Sequence, residues 1–199
     1  MIPKQFAGAV LAGICIAFSA QFSAADEVKK GQVFPPEKYL SKGMKEFTIS
    51  GGVGSKLPFH RFDDRNNTHF ISIVPSAGYF IANRQELLLE APILYYDKPQ
   101  HAIAAGVDLM YRYHFTRNRK FSPFVEVGAG ANYVGLDIRD LTGKFQFSLQ
   151  GGVGVRSKIS DHGDVVISLR WHHFSNAGTR APNIGTNDSF LLIGYSHYF

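Results

Sequence analysis

The sequence predicts an all-β protein, an eight-stranded antiparallel transmembrane β-barrel, and three observations favour this fold class. Apolar and polar residues alternate in eight separate runs, and no stretch shows a convincing helical period. No window reaches the roughly 18 to 20 uninterrupted apolar residues that a membrane-spanning helix requires. The chain of 199 residues also ends on an alternating run that closes with an aromatic residue, Phe199. A helical membrane protein is therefore excluded.

Each of the eight runs is about as long as a tilted strand that crosses the hydrocarbon core, which takes roughly 9 to 11 residues. The runs are 46–55, 69–81, 86–96, 102–115, 123–134, 144–156, 164–175 and 188–199. Eight strands close into a barrel that side chains just fill, and closure leaves no open sheet edge. We therefore predict an outer-membrane barrel domain over 45–199.

The two faces of each run differ in character, which bears on the choice between a membrane barrel and a soluble one. In the run 144–156 one face comprises Phe145, Phe147, Leu149, Gly151, Val153 and Val155. The other comprises Gln146, Ser148, Gln150, Gly152, Gly154 and Arg156. Apolar residues with terminal aromatics suit a lipid-facing band, and small, polar and charged residues suit a narrow interior. A secreted lipocalin-type barrel is the structural alternative, and it should have an apolar interior large enough for a ligand.

Several charged residues share the parity of the polar face, and we expect them to form a paired network inside the barrel rather than a second active site. These residues are Glu86, Glu90, Asp108, Arg112, His114, Glu126, Arg156, Arg170 and His172.

The first 25 residues are typical of a secretory signal peptide. Lys4 precedes the apolar run 7–18, and Ser23-Ala24-Ala25 supplies small residues for cleavage. Cys15, the one cysteine, lies in the part to be removed. Residues 26–44 show no apolar period and are expected to form an irregular N-terminal segment. The formal net charge of +5 is too diffuse to indicate a nucleic-acid partner.

The seventh run places two reactive residue types on its outward face. His173 and Ser175 are two residues apart, so they lie on the same side of the strand, just beyond Trp171. A His that takes the proton of a Ser hydroxyl prepares it to attack an ester carbonyl. Polar residues also occur simply where a strand leaves the membrane, and spacing alone favours this second interpretation. If both termini are periplasmic, the loop 176–187 is extracellular.

The C-terminal third of the chain resembles a known family. The run His173-Phe174-Ser175-Asn176-Ala177-Gly178, followed by Pro182-Asn183 and Gly185, is similar to the lipid A 3-O-deacylase family, the PagL-type outer-membrane esterases. The stretch 123–130, Pro-Phe-Val-Glu-Val-Gly-Ala-Gly, also resembles that family. The resemblance implies an eight-stranded barrel and a serine esterase with a Ser-His-acid triad, which removes the 3-O-linked acyl chain of lipid A. His173 would be the base, Ser175 the nucleophile, and Asn176 would help to stabilise the oxyanion.

The third member of the implied triad departs from the family pattern. The family usually has a Glu about 14 residues after the His, and that count leads to Asn187, followed by Asp188. Strict alternation back from Phe199 turns Asn187 toward lipid and Asp188 toward the interior. An irregular strand start would turn Asp188 outward, and loops accept one-residue insertions readily. We predict Asp188 as the acid, with Asn187 as the alternative.

The resemblance also defines the expected environment, the outer membrane of a bacterial cell with the active site toward the outer leaflet. The expected partners are lipid A or lipopolysaccharide as substrate and outer-membrane lipid, with no nucleic acid, and a homodimer is an open alternative. No cofactor or metal is expected, and we interpret the loop cluster His60, Arg61, Asp63, Asp64, Arg65 and His69 as solvated. A structural or adhesive barrel and a lipid A acyl-transferring barrel are the functional alternatives.

Overall fold

A computed structural model describes residues 35–57 and 67–199, and about two thirds of these residues belong to one antiparallel sheet. A short 3-10 helix, Pro36–Lys38, precedes the sheet. The strands are β1 (Lys45–Lys56), β2 (His69–Ala82), β3 (Gln85–Glu90), β4 (Ile93–Lys98), β5 (Ala102–His114), β6 (Ser122–Val134), β7 (Phe145–Ser160), β8 (Gly163–Ser175) and β9 (Thr186–Tyr198). Within these ranges, no helix has the length and apolarity needed to cross a membrane. The predicted signal peptide, 1–25, lies outside the described residues.

The sheet closes on itself, because β1 pairs with both β2 and β9. The predicted third run, 86–96, is interrupted at Ala91-Pro92, and its halves are β3 and β4. Both halves pair with β2 on one side and with β5 on the other, so nine segments build eight barrel strands. The break falls at Pro92 because proline has no N–H for a strand ladder. The predicted fold class, an eight-stranded antiparallel barrel, is confirmed.

The outer surface of the barrel is apolar along every strand. Ile71, Ile73 and Ile103 are more than half exposed, as is Leu169 on β8, where Trp171 is also exposed. A soluble monomer rarely exposes so continuous an apolar surface, whereas a barrel wall in contact with lipid requires one. The alternation in the sequence therefore has the predicted sense, with the apolar face outside.

The interior is a network of ion pairs. Arg170 donates hydrogen bonds to Glu90 and Glu126 at 2.6 to 3.2 Å. Arg112 donates to Glu126 and Glu86 at 3.0 to 3.3 Å. Each guanidinium therefore compensates two carboxylates that are shielded from water. All nine residues that were predicted to face inward are buried, so that prediction is confirmed. In the part of the chain that the structure describes, these charged side chains occupy the middle of the barrel, where a lipocalin-type barrel would have its apolar interior.

Apolar side chains cover this network at both ends of the barrel. We call the end with the β8–β9 connection the loop end and the opposite end, which holds the chain from Pro35, the turn end. At the turn end Tyr39 and Leu40 are fully buried, and Tyr39 Oη donates to Asp164 at 2.7 Å. At the loop end a cluster that includes Phe174 and Phe190 lies directly beneath the outward residues of β8.

Candidate active site

The loop end of β8 carries the two predicted reactive residues on its outer face. His173 and Ser175 are half-buried, whereas their neighbours His172 and Phe174 are buried inside. The β8–β9 register is regular here, with His173 opposite Asn187 and Phe174 opposite Thr186. The predicted outward placement of His173 and Ser175 therefore matches the structure, because no bulge disturbs the alternation.

His173 is held by an amide on the neighbouring strand. Its Nδ1 atom lies 2.9 Å from Oδ1 of Asn187. The same oxygen accepts a hydrogen bond from Nε1 of Trp171 at 3.1 Å. The indole also stacks on the imidazole, with ring centroids 5.9 Å apart and an interplanar angle of 18°. Three outward side chains on two strands thus form one connected unit.

The donor and acceptor types in this unit determine the tautomer of His173. An indole N–H only donates, so the amide atom that faces Trp171 must be the oxygen. That oxygen only accepts, so Nδ1 of His173 must carry the hydrogen in their shared bond. In a neutral imidazole the other nitrogen, Nε2, then has a free lone pair. This is the form in which a histidine can accept a proton from a serine hydroxyl.

Asp188 does not lie beside His173, and the prediction that it turns outward is wrong. Its side chain is fully buried inside the barrel, where Thr68 Oγ1 donates to Asp188 Oδ1 at 2.5 Å. The reason is that alternation in β9 is already regular at Thr186, which is also buried, so the strand has no irregular start. Asn187, the alternative, occupies the outward position opposite His173.

Ser175 lies at the last position of β8, where its Cα pairs with Phe147 of β7. The His173 and Ser175 Cα atoms are separated along the strand by roughly 7 Å, the repeat of two residues. Among the described residues, no hydrogen bond joins Ser175 Oγ to the imidazole. Catalytic hydrogen bonds are often long before substrate binds, so the arrangement is compatible with a Ser-His pair.

Asn176 is directed into the β8–β9 connection rather than toward a bound carbonyl. Its Nδ2 donates to Arg180 O at 2.9 Å and to Thr142 O at 3.3 Å, and its Oδ1 accepts from Gly178 N at 2.9 Å. The residue is only 2% exposed. The expectation that this side chain serves an oxyanion does not fit this geometry, because both amide donors are already used to hold the loop.

Gly185 allows the returning loop to approach the imidazole. Its φ is +75°, and a Cβ at this position would lie 2.7 Å from His173 Cε1 and 2.7 Å from Phe174 O. Glycine is the residue that adopts this backbone conformation without strain. In the sequence, Gly185 was notable only for the family resemblance, and no contact was predicted for Trp171. The shared outward parity of Trp171 and His173 was the signal that could have linked them.

A shallow cavity of about 100 Å³ adjoins the site at the loop end. Its lining includes Gly185 and Asn187, together with Lys56 and Asp140, whose side chains form an ion pair at 3.7 Å. In the described part of the chain, no group of three or more His, Cys, Asp or Glu side chains is placed to hold a metal ion. Of the loop cluster named from sequence, His69 is the first residue of β2, and the other members lie outside the described part.

Comparisons with known proteins agree with this architecture. The family model "Lipid A 3-O-deacylase (PagL)" matches residues 49–196. Among solved structures, neisserial surface protein A is similar with a TM-score of 0.60 and 15% identity, over 79% of this chain and 98% of that one. The outer membrane enzyme PagL is similar with a TM-score of 0.52 and 18% identity, over 75% of this chain and 97% of that one. No curated protein sequence matches the chain.

The two structural similarities concern the fold, which is that of an outer-membrane β-barrel. The family model extends from β1 through most of β9 and includes His173, Ser175 and Asn187. The chain therefore belongs to the lipid A 3-O-deacylase (PagL) family.

Proposed function

We propose that this protein is a serine esterase of the bacterial outer membrane that hydrolyses the ester bond of the 3-O-linked acyl chain of lipid A. The observation that carries the proposal is the outward unit at the loop end of β8, in which His173 is fixed as a base close to Ser175. The ester class and its position on the sugar come from membership of the family. No cofactor enters the proposed reaction.

The reaction proceeds in two steps. In the first, Nε2 of His173 takes the proton of Ser175 Oγ as that oxygen attacks the ester carbonyl. The tetrahedral intermediate collapses, and the imidazolium returns the proton to the departing sugar oxygen. In the second step water, deprotonated by His173, attacks the acyl-serine, and the imidazolium returns that proton to Ser175 Oγ as the fatty acid leaves. The products are a free fatty acid and lipid A with a hydroxyl at position 3.

Asn187 is the orienting group in this proposal. Its Oδ1 holds the Nδ1–H of His173 and so keeps Nε2 directed away from β9. An amide orients the ring as an aspartate would, but it adds no charge to stabilise the imidazolium of the transition state. Asp188 is assigned to the interior, where it accepts a hydrogen bond from Thr68. Asn176 is assigned to holding the loop that follows Ser175.

The proposed orientation puts the loop end at the cell surface. Secretion by the predicted signal peptide 1–25 and periplasmic termini give this arrangement for an even number of barrel strands. The outward side chains Phe147, Leu149 and Leu169 then border the site on its membrane side, where the acyl chains of the outer leaflet lie. Ester hydrolysis at this depth needs no extraction of the substrate from the membrane.

All residues of the proposed mechanism lie in a single chain. His173 and Ser175 lie on β8, and Asn187 lies opposite His173 on the adjacent strand β9 of the same chain. This mechanism therefore does not require the homodimer that was left open as an alternative.

The proposal is tested with purified protein in detergent and lipid A as substrate. Ser175→Ala and His173→Gln should each lower the release of fatty acid by a factor of about 10³ or more. Ser157→Ala is the matched control, because Ser157 also faces outward on a strand but lies at the turn end. Release at the wild-type rate by folded Ser175→Ala protein would overturn the mechanism.

A further inference from the structure

We propose that Trp171 is a positioning residue, whose indole N–H sets the orientation of the Asn187 amide and thereby the tautomer of His173. This inference rests on the proposed function, because it explains how a triad with an amide in the third place can work. The role of Trp171 depends on Asn187 in this chain, because only an amide in the third place of the triad has two unlike faces.

An amide is an ambiguous partner for a catalytic histidine. A carboxylate presents an acceptor whichever oxygen faces the ring, whereas an amide rotated by 180° presents its NH₂ group instead. The NH₂ group would donate to Nδ1, and the hydrogen of the neutral imidazole would then reside on Nε2. An Nε2–H cannot accept the proton of Ser175. In a serine protease, the corresponding amide substitution lowers kcat by about 10⁴ through the wrong tautomer.

Trp171 removes this ambiguity by its chemistry and its place. Its Nε1–H lies 3.1 Å from the oxygen that also contacts His173, and an indole has no acceptor with which to stabilise the rotated amide. Rotation would bring the NH₂ group against the indole N–H, donor against donor, even after the imidazole hydrogen had moved to Nε2. The stacking of the indole on the imidazole, at 18°, keeps the N–H at the edge where Asn187 approaches from β9.

The position of Trp171 follows from the strand itself. Trp171 and His173 are two residues apart on the outward face of β8, and Asn187 lies opposite His173 in the register. The indole N–H of Trp171, on the same strand as His173, thus reaches the amide of Asn187. A lipid-facing tryptophan is ordinarily explained as an interfacial anchor, but an anchor would not require its N–H to bond with an amide of the site.

The test is a double-mutant cycle of Trp171→Phe and Asn187→Asp, assayed for kcat with lipid A in detergent. Phe retains an aromatic ring over the imidazole and removes only the N–H donor. In the wild-type background kcat should follow the fraction of molecules that keep the productive amide orientation. The loss is about twofold if the two orientations become equal in energy, and it is larger if the rotated orientation is preferred. In the Asn187→Asp background the same substitution should cost less, because either carboxylate oxygen accepts from Nδ1–H.

The matched control is Tyr133→Phe, which removes a polar group from another outward aromatic residue near the loop end, on β6. Tyr133→Phe should leave kcat unchanged in both the wild-type and the Asn187→Asp backgrounds. A purely structural role for Trp171 predicts equal losses in both backgrounds, and that result would overturn the proposal.

A spectroscopic measurement tests the proposal without reference to activity. Long-range ¹H–¹⁵N spectra of the protein in micelles, at a pH where imidazoles are neutral, report which ring nitrogen carries the hydrogen. The His173 signal is identified by its absence from His173→Gln protein. Wild-type protein should show the Nδ1–H form, and Trp171→Phe protein a substantial Nε2–H fraction that Asn187→Asp abolishes.

An unchanged tautomer in Trp171→Phe protein would contradict the inference even if Ser175 proves to be the nucleophile. Conversely, wild-type activity in Ser175→Ala protein would contradict the proposed function. The tautomer measurement would still show whether Trp171 orients the Asn187 amide. The two failures are therefore distinguishable.

Discussion

At the scale of single residues, the amide of Asn187 limits how strongly His173 can act as a base in the proposed mechanism. Its oxygen orients the ring at 2.9 Å but supplies no charge to the imidazolium. We expect Asn187→Asp to raise kcat by about tenfold, equivalent to roughly 1.4 kcal/mol of transition-state stabilisation. Asn187→Ala, which leaves Nδ1 without a partner, should lower kcat by about 10². The measurement is initial-rate release of fatty acid in detergent.

Asp188→Asn is the paired comparison, because Asp188 adjoins Asn187 in sequence but accepts from Thr68 inside the barrel. This variant should keep nearly wild-type activity per folded molecule and should unfold at a lower temperature, as judged by heat-modifiable gel migration. If Asp188→Asn abolished activity in folded protein while Asn187→Ala did not, the assignment of the orienting group would be reversed.

Residue parity was predictable from sequence, and hydrogen-bond partners were not. Strict alternation correctly placed His173 and Ser175 outside, and the same rule applied to β9 gives Asn187 outside. The preference for Asp188 failed because it gave more weight to the charge of a carboxylate than to the regularity of the strand. The contact from Trp171 to Asn187 depends on the relative stagger of β8 and β9, which periodicity within a single strand does not contain.

At the scale of elements, the β8–β9 connection is held in place by Asn176. The residue is buried and bonds through its side chain to Arg180 O, Thr142 O and Gly178 N. We expect Asn176→Ala to loosen this connection, because backbone groups at three places lose a partner. Limited proteolysis should show faster cleavage within 176–185, and kcat should fall together with that loss of protection as Ser175 loses its fixed backbone.

An oxyanion role for Asn176 makes a different prediction. Removal of one oxyanion donor lowers kcat by a factor of about 10² to 10³ and leaves the ground-state loop intact. A loss of that size in Asn176→Ala protein with unchanged protease resistance would therefore restore Asn176 to the reaction itself.

The elements of the barrel were largely predictable because closure and burial both impose a period of two. Seven of the eight runs correspond to single strands, and their limits differ from the observed ones mainly in β7, which continues to Ser160. The third run was predicted as continuous, but Pro92 divides it into β3 and β4. Pro92 was visible in the sequence, and the loss of a ladder hydrogen bond at proline is the physical reason for the break.

At the scale of the whole molecule, the interior network fills the middle of the barrel between the apolar clusters at its two ends. Arg170 joins Glu90 on β3 to Glu126 on β6, across the barrel. Arg170→Met should therefore leave buried Glu90 without its ion-pair partner and Glu126 with Arg112 alone, and should destabilise the barrel by about 3 to 5 kcal/mol. Urea unfolding in lipid vesicles measures the change.

The control for this prediction is Lys158→Gln at the turn end, where Lys158 pairs with the exposed Asp161. An ion pair in contact with water contributes little, so the unfolding midpoint should stay within error. Equal midpoints for Arg170→Met and wild-type protein would show that the network does not carry the stability of the barrel.

The sorting of charges to the interior was predictable for the whole molecule, because side chains of one parity share one environment in a closed barrel. All nine predicted interior residues are buried. The pairing among them was not predictable, since Arg170 meets a carboxylate 80 residues away in the chain. Such contacts follow from the closure and stagger of the strands rather than from any local pattern.

The central claim, that the outward His173–Ser175 unit removes an acyl chain from lipid A, is tested most directly by mass spectrometry of lipid A from bacteria that express the protein. Cells with the wild-type gene should yield lipid A lighter by one acyl chain, lost from position 3, and cells with Ser175→Ala at equal outer-membrane abundance should yield unmodified lipid A. An increase in mass would indicate acyl transfer. Unchanged lipid A in cells that carry folded wild-type protein would contradict the account.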